Sequence, residues 1–127
     1  MSAIVRLEVP QNLDQMGEPE EFTWDIPFLA EMSHLSQDGL PQIGSCIKPG
    51  MVIVAKLGRT KKYDRHKINS CFEILASVQK LRTMYQLMLY DASLYATPKT
   101  SGIVKTAYFE RISTDLMKAV VEIEADN

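Results

Sequence analysis

Apolar and polar positions alternate along residues 4–9, IVRLEV, a two-residue period rich in β-branched side chains. It predicts a short strand that Pro10 ends or leaves at a sheet edge. From Gln11 to Thr23 the chain is polar, with Gly17 and Pro19 breaking any period, and a loop is expected. Asp25-Ile26-Pro27 is an extended or turned segment, because the residue before a proline is pushed out of the helical region. Phe28 to Leu35 has the length for one or two helical turns, and Asp38-Gly39 is a turn signal. Pro49-Gly50 is a second turn signal, and Met51 to Leu57 behind it is a compact apolar strand with Val52, Ile53 and Val54 at its centre.

The period changes at Asn69-Ser70. Ser70 and Glu73 are spaced as a capping box, which satisfies two free backbone donors at the start of a helix. Cys71, Ile74, Leu75, Val78, Leu81, Tyr85, Met88 and Leu89 then share one face by three-four spacing, so a helix is expected over about residues 71–89. Phe72, Met84 and Leu87 widen the apolar surface beyond one stripe. A helix lying on a small domain needs less, and the excess points to a second contact, with another chain. Strands return after Asp91, with Gly102 to Val104 and Thr106 to Ile112 extended and a polar turn at Ser113-Thr114-Asp115. VVEIE, Val120 to Glu124, alternates apolar and acidic and closes a hairpin. The whole reads as a mainly β (α+β) domain with one inserted helix, free of repeats and internal linkers.

At 127 residues the chain has room for one core, so residues 1–127 are taken as a single domain. Its 46% hydrophobic and 24% charged residues match an ordinary globular protein and exclude a disordered one. The formal net charge of −2 is uninformative, but its distribution is not. Glu8, Asp14, Glu18, Glu20, Glu21 and Asp25 stand against Arg6 in the first 25 residues, while Lys56, Arg59, Lys61, Lys62, Arg65 and Lys67 stand against Asp64 in residues 56–67. Such a split suggests opposed acidic and basic surfaces, or simply a solvated basic loop.

Chemistry-bearing constellations are missing. Cys46 and Cys71 fit no zinc spacing or disulfide framework, and the start MSAIVRLEV lacks a signal peptide's regions, so reduced, buried thiols in a cytoplasmic chain are expected. No apolar run approaches the roughly 18 residues that a membrane span needs. His34 and His66 have no metal-ligand spacing and read as surface or hydrogen-bonded residues. No serine sits in a nucleophile elbow, and no glycine is followed by a phosphate-loop Gly-Lys-Ser or Gly-Lys-Thr. No catalytic residue, metal ligand or cofactor site is therefore expected.

Four blocks in order resemble the flap (wall) region of the bacterial-type RNA polymerase beta subunit. EEFTWDIP, Glu20 to Pro27, is similar to the family's E-E-I-T-x-D-I-P. LSQDGLPQIGSCIKPGMVIVAKL, Leu35 to Leu57, is similar to L-x-x-x-G-I-x-x-I-G-x-x-V-x-x-G-D-I-L-V-G-K. DASL, Asp91 to Leu94, resembles D-S-S-L or D-T-S-L, and SGIVKTAYFER, Ser101 to Arg111, resembles the following G-I-V or G-T-V strand. The similarity runs from about residue 4 to residue 124. The chain departs from the pattern at Met51, where the family has Asp, at Ala55, where it has Gly, and at LGRTKKYD, where it has T-P-K-G. The family's active-site lysines and its G-D-K-x-x-x-R-H-G-N-K-G stretch lie past the matched span.

The resemblance implies a flap-like β-barrel or sandwich domain with a tip insertion at about residues 58–92. It implies a non-catalytic wall of the RNA exit channel, within a polymerase of several subunits in a bacterial or phage-infected cytoplasm. The tip helix would dock a sigma or elongation factor through Phe72, Ile74, Leu75, Val78 and Leu81. The basic loop Arg59, Lys61, Lys62, Arg65 and Lys67 suits nascent RNA, since phosphate contacts need charge and Tyr63 is the one aromatic there. A stand-alone flap mimic, phage-encoded for example, that binds sigma or polymerase to regulate transcription is the alternative, and the Met1-Ser2 start suits an independent gene. A third reading is a biotinyl or lipoyl carrier. It rests on the Lys48-Pro49-Gly50 turn, the Ser101–Val104 strand and Met117-Lys118, but Ala119 stands where a second methionine belongs.

Overall fold

A computed structural model describes residues 2–26, 31–60 and 88–126. Among these residues nine strands follow in chain order: β1 (Ser2–Pro10), β2 (Glu21–Phe22), β3 (Cys46–Ile47), β4 (Val52–Val54), β5 (Lys56–Arg59), β6 (Leu89–Asp91), β7 (Leu94–Tyr95), β8 (Gly102–Arg111) and β9 (Met117–Asp126). One 3-10 turn, Pro98–Thr100, precedes β8. Every paired strand is antiparallel, and the sheets are ordered β1-β9-β8-β3, β2-β5-β6 and β4-β7. The fold is mainly β.

The alternation in the sequence explains the largest sheet. In β9, Ala119, Val121 and Ile123 point inward and are fully buried, while Glu122 and Glu124 point outward. Inward partners come from both neighbours: Leu7 and Ala107 flank Val121, and Val5 and Val104 flank Ile123. Each fully buried Val or Ile contributes about 1.5–3 kcal/mol relative to exposure. Val120 lies on the outer side yet is also buried. Its cross-strand neighbours Glu8 and Tyr108 are tied down by Lys118 and Arg6, at 3.0 Å each. Pro10 sits on an edge strand, where its missing N–H interrupts no inner ladder.

Among the described residues, two apolar clusters fill the interior. The larger joins Val104, Val121 and Ile123 to Ile47, Ile53 and Val54, with Phe22 and Phe109 packed against it. The smaller gathers Ile26, Leu35, Val52, Ala55, Leu57 and Leu89. Gly39 closes the turn between them with φ +83°, and a side chain there would collide with the carbonyl oxygen of Ala55.

Three expectations are corrected. Residues 71–87 of the expected helix lie outside the described residues, but Met88 is in a turn and Leu89 opens β6, paired with Arg59. Leu89 fits the helical spacing, and strand pairing overrides it. Residues 31–35 form a turn closed by Leu35 N–H on the Met32 carbonyl, followed by a bridge to Pro41, rather than a helix. Cys46 is exposed on the two-residue strand β3, not buried, and Cys71 lies outside the described residues.

Candidate functional site

The chain leaves the described scaffold at Thr60 and returns at Met88, at the open end of the β5–β6 hairpin. Leu57, Gly58 and Arg59 pair with Asp91, Tyr90 and Leu89, and the Thr60 N–H donates to the Met88 carbonyl at 3.0 Å. Whatever residues 61–87 do, they are carried on this root.

The root is polar and buried. Lys56 points away from the smaller apolar cluster and places its ammonium 2.8 Å from Glu20 Oε1, with both side chains about 95% buried. The ammonium also donates to the Pro10 carbonyl at 2.6 Å and lies 6.0 Å from the centre of the Phe22 ring. Glu20 accepts further from the Asn12 N–H at 3.0 Å and the Tyr90 hydroxyl at 2.9 Å. Burial pushes the Tyr90 hydroxyl up to about 12, helped by its hydrogen bond to Glu20 and by the charges of Glu20 and Asp14. Tyr90 reaches Glu20 by lying across Gly58, where a Cβ would overlap the ring. Ser93 completes the arrangement, accepting from the Lys56 N–H and donating to its carbonyl.

A second carboxylate works on backbone. Asp14, its side chain 2% exposed, accepts from Met16 N–H at 2.9 Å and Glu18 N–H at 3.0 Å through Oδ1. Its Oδ2 accepts from the Arg59 N–H at 3.1 Å, with the Arg59 guanidinium at 3.5 Å. Burial alone would raise the Asp14 carboxyl; the amides of Glu18, Arg59 and Met16, with the Arg59 charge, outweigh it and hold it below the usual value. The Gln15 N–H donates to the Arg59 carbonyl at 3.1 Å, and the Thr60 hydroxyl donates to Gln15 Oε1 at 2.8 Å.

The two described members of the basic stretch thus meet the acidic one: Lys56 with Glu20, and Arg59 with Asp14. Lys56 is internal, and Arg59, the one described member of the expected RNA-contacting set, keeps a half-exposed side chain beside Asp14. Lys61, Lys62, Arg65 and Lys67 lie outside the described residues, as do Phe72, Ile74, Leu75, Val78 and Leu81. His34 is half-buried: its Nε2–H donates to the Val52 carbonyl at 2.6 Å, while Nδ1 has no partner among the described residues. Among those residues no group of three His, Cys, Asp or Glu side chains could hold a metal. No described helix is long and apolar enough to cross a membrane. Lys118 sits within β9, 3.0 Å from Glu8 and 3.5 Å from Glu110, so it is not the free, turn-borne lysine of a carrier domain.

Sequence reasoning singled out the inserted segment but missed Asp14, Glu20, Lys56 and Tyr90. A lysine inside an apolar strand, VIVAKL, was the available signal of a buried cation.

Fold and root together define a β scaffold that carries an insertion on a braced hairpin. No family model matches the chain. It is similar to a region of the DNA-directed RNA polymerase subunit beta: 33% identical over 90 residues to that of Chlamydia trachomatis serovar L2, covering 67% of this chain and 6% of that protein. The Solibacter usitatus subunit is 32% identical over 115 residues, covering 85% of this chain and 7% of that protein. The chain is thus related to a beta-subunit region, and its matched part spans about 6–7% of the length of these relatives.

Proposed function

We propose that this chain is a non-catalytic, flap-like component of a multi-subunit RNA polymerase. It walls the RNA exit channel and presents residues 61–87 to a sigma or elongation factor. The observation that carries the reading is the β5–β6 hairpin, which pairs to its last described rung at the point where residues 61–87 are inserted, in a chain related to a beta-subunit region. Phe72, Ile74, Leu75, Val78 and Leu81 form the docking stripe, at helical spacing. Arg59, Lys61, Lys62, Arg65 and Lys67 offer positive charge to nascent RNA without base-reading geometry.

The test is binding of the purified chain to isolated sigma factor and to polymerase, with and without Leu75→Asp. A charged side chain in the stripe should lower sigma affinity by at least about tenfold, since it must be desolvated on docking. Unchanged affinity in that variant would remove the stripe as the docking site. Sigma captured with no affinity for other polymerase subunits would favour a stand-alone mimic.

A further inference from the structure

We propose that the outer edge of β1 is a self-association surface, on which a second copy of this chain adds its own β1, antiparallel, about a twofold axis through Leu7. The inference goes beyond the docking role above and does not depend on it.

β1 is an edge strand of nine residues, paired on one side with β9. Just past the Pro10–Lys118 rung, the Gln11 N–H donates to the Met117 carbonyl at 2.8 Å. Backbone groups alternate sides along an antiparallel strand, so Val5, Leu7 and Val9 also bond β9, while Ile4, Arg6 and Glu8 turn theirs outward. The Pro10 carbonyl agrees: it receives the Lys56 ammonium at 2.6 Å, on the side away from β9. Among the described residues nothing receives the N–H groups of Ile4, Arg6 and Glu8. Natural edges are guarded by inward-pointing charges, bulges or short length. β1 has none of these. Its register is unbroken, and its inward side chains Val5, Leu7 and Val9 are apolar, with Val5 and Leu7 only half-buried.

The residues along the edge select both occupant and register. Outward groups sit on even-numbered residues, so in a ladder between copies even positions face even positions. An axis through Arg6 sets Arg6 against its own copy, and one through Glu8 does the same for Glu8. An axis through Val5 leaves both charges facing Ile4 and Ser2. With the axis at Leu7, Arg6 faces Glu8 of the copy on both sides, and exposed Ile4 faces Pro10 of the copy. Leu7 then meets Leu7, and Val5 meets Val9, at the non-hydrogen-bonded sites where side chains approach most closely. The charges have capacity for this. Glu8 makes its described contacts through Oε1, leaving Oε2, and Arg6 uses its terminal nitrogens, leaving the Nε–H. Pairing joins two four-stranded sheets into one. A strip this narrow buries less than the about 1,600 Å² of a standard interface, so the association is of the weak, micromolar kind.

The experiment is sedimentation equilibrium of the full chain over a concentration series, with amide exchange read residue by residue on the same samples. Wild type should pass from monomer to dimer in the micromolar range. Exchange at Ile4, Arg6 and Glu8 should slow severalfold as dimer forms, while Val5, Leu7 and Val9 stay protected throughout. Arg6→Glu gives the edge two acids and Glu8→Arg gives it two bases, so each variant alone should self-associate at least about tenfold more weakly. Mixed in equal amounts the two variants should pair again, each acid opposite a base. A wild type that stays monomeric at millimolar concentration overturns the proposal, as does a dimer in which the Ile4, Arg6 and Glu8 amides exchange as in the monomer. A mixture no tighter than either variant alone, with both folded by circular dichroism, overturns the register. Protection of these amides only when other polymerase polypeptides are added assigns the edge to a foreign strand and overturns the pairing of copies.

Discussion

Replacing Lys56 by methionine keeps the length and apolar stem of the side chain and removes its charge. The ion pair to Glu20 at 2.8 Å and the hydrogen bond to the Pro10 carbonyl at 2.6 Å disappear, as does the weaker approach of the ammonium to the Phe22 ring at 6.0 Å. Glu20 is left as a carboxylate about 95% buried, still receiving Tyr90 and the Asn12 amide. Breaking a buried pair from one side typically costs about 3–5 kcal/mol, most of it the uncompensated charge. The two surviving donors place Lys56→Met near the low end, about 3 kcal/mol. Glu20→Gln, which leaves the ammonium unpaired, should cost a similar amount. The double variant removes both charges together, so it should cost about 2–3 kcal/mol in all and not the sum, a coupling of at least about 2 kcal/mol. Urea denaturation followed by fluorescence of Trp24, the only tryptophan, and by circular dichroism reads this directly. With a slope of about 1.5 kcal/mol per molar, Lys56→Met should lower the midpoint by about 2 M. Additive single variants, or a loss below about 1 kcal/mol, would show that the pair behaves as a solvated surface pair and that the root is not buried as described.

Three further outcomes follow from the same residues. Gly58→Ala should push the Tyr90 ring off Glu20, lowering the urea midpoint and returning the Tyr90 hydroxyl from about 12 toward its ordinary 10, seen in a tyrosinate absorbance titration. Because Tyr90 ionises at a higher pH folded than unfolded, its contribution is complete below pH 10 and is lost as pH rises through about 12; an alkaline stability profile should fall there, and less so in Glu20→Gln. Asp14 has the opposite sign: its carboxyl is lowered, so its contribution is present above the ordinary 3.8 and disappears as pH falls through the folded value. The stability gap between wild type and Asp14→Asn should therefore close at acid pH, measured by urea melts across the acid range.

What the sequence disclosed depended on how local the deciding contacts are. β1, β8 and β9 were legible because each buries one face against an adjacent strand and writes a two-residue period, as in Val121 and Ile123 between Glu122 and Glu124. The turns at Asp38-Gly39 and Pro49-Gly50 were legible because Gly39 and Gly50 take positive φ, at +83° and +87°. β6 was not, since three residues carry no period of their own and Leu89 continues the apolar spacing of the preceding segment. The root was hidden for a related reason. Glu20 and Lys56, or Asp14 and Arg59, are ordinary charges until the fold brings distant stretches together, so their pairing leaves no local mark in the sequence. Cys46 was misjudged because thiols are usually interior, whereas a two-residue edge strand leaves every second side chain outside.

A flap-like component of a polymerase should travel with the other polymerase subunits. Affinity purification of the tagged full-length chain from its native host, with mass spectrometry of what is retained at high salt, puts it to the test. Beta and beta-prime polypeptides should be retained in near-equal amount with the bait. Their absence, from a preparation in which the chain itself is folded and abundant, would contradict it.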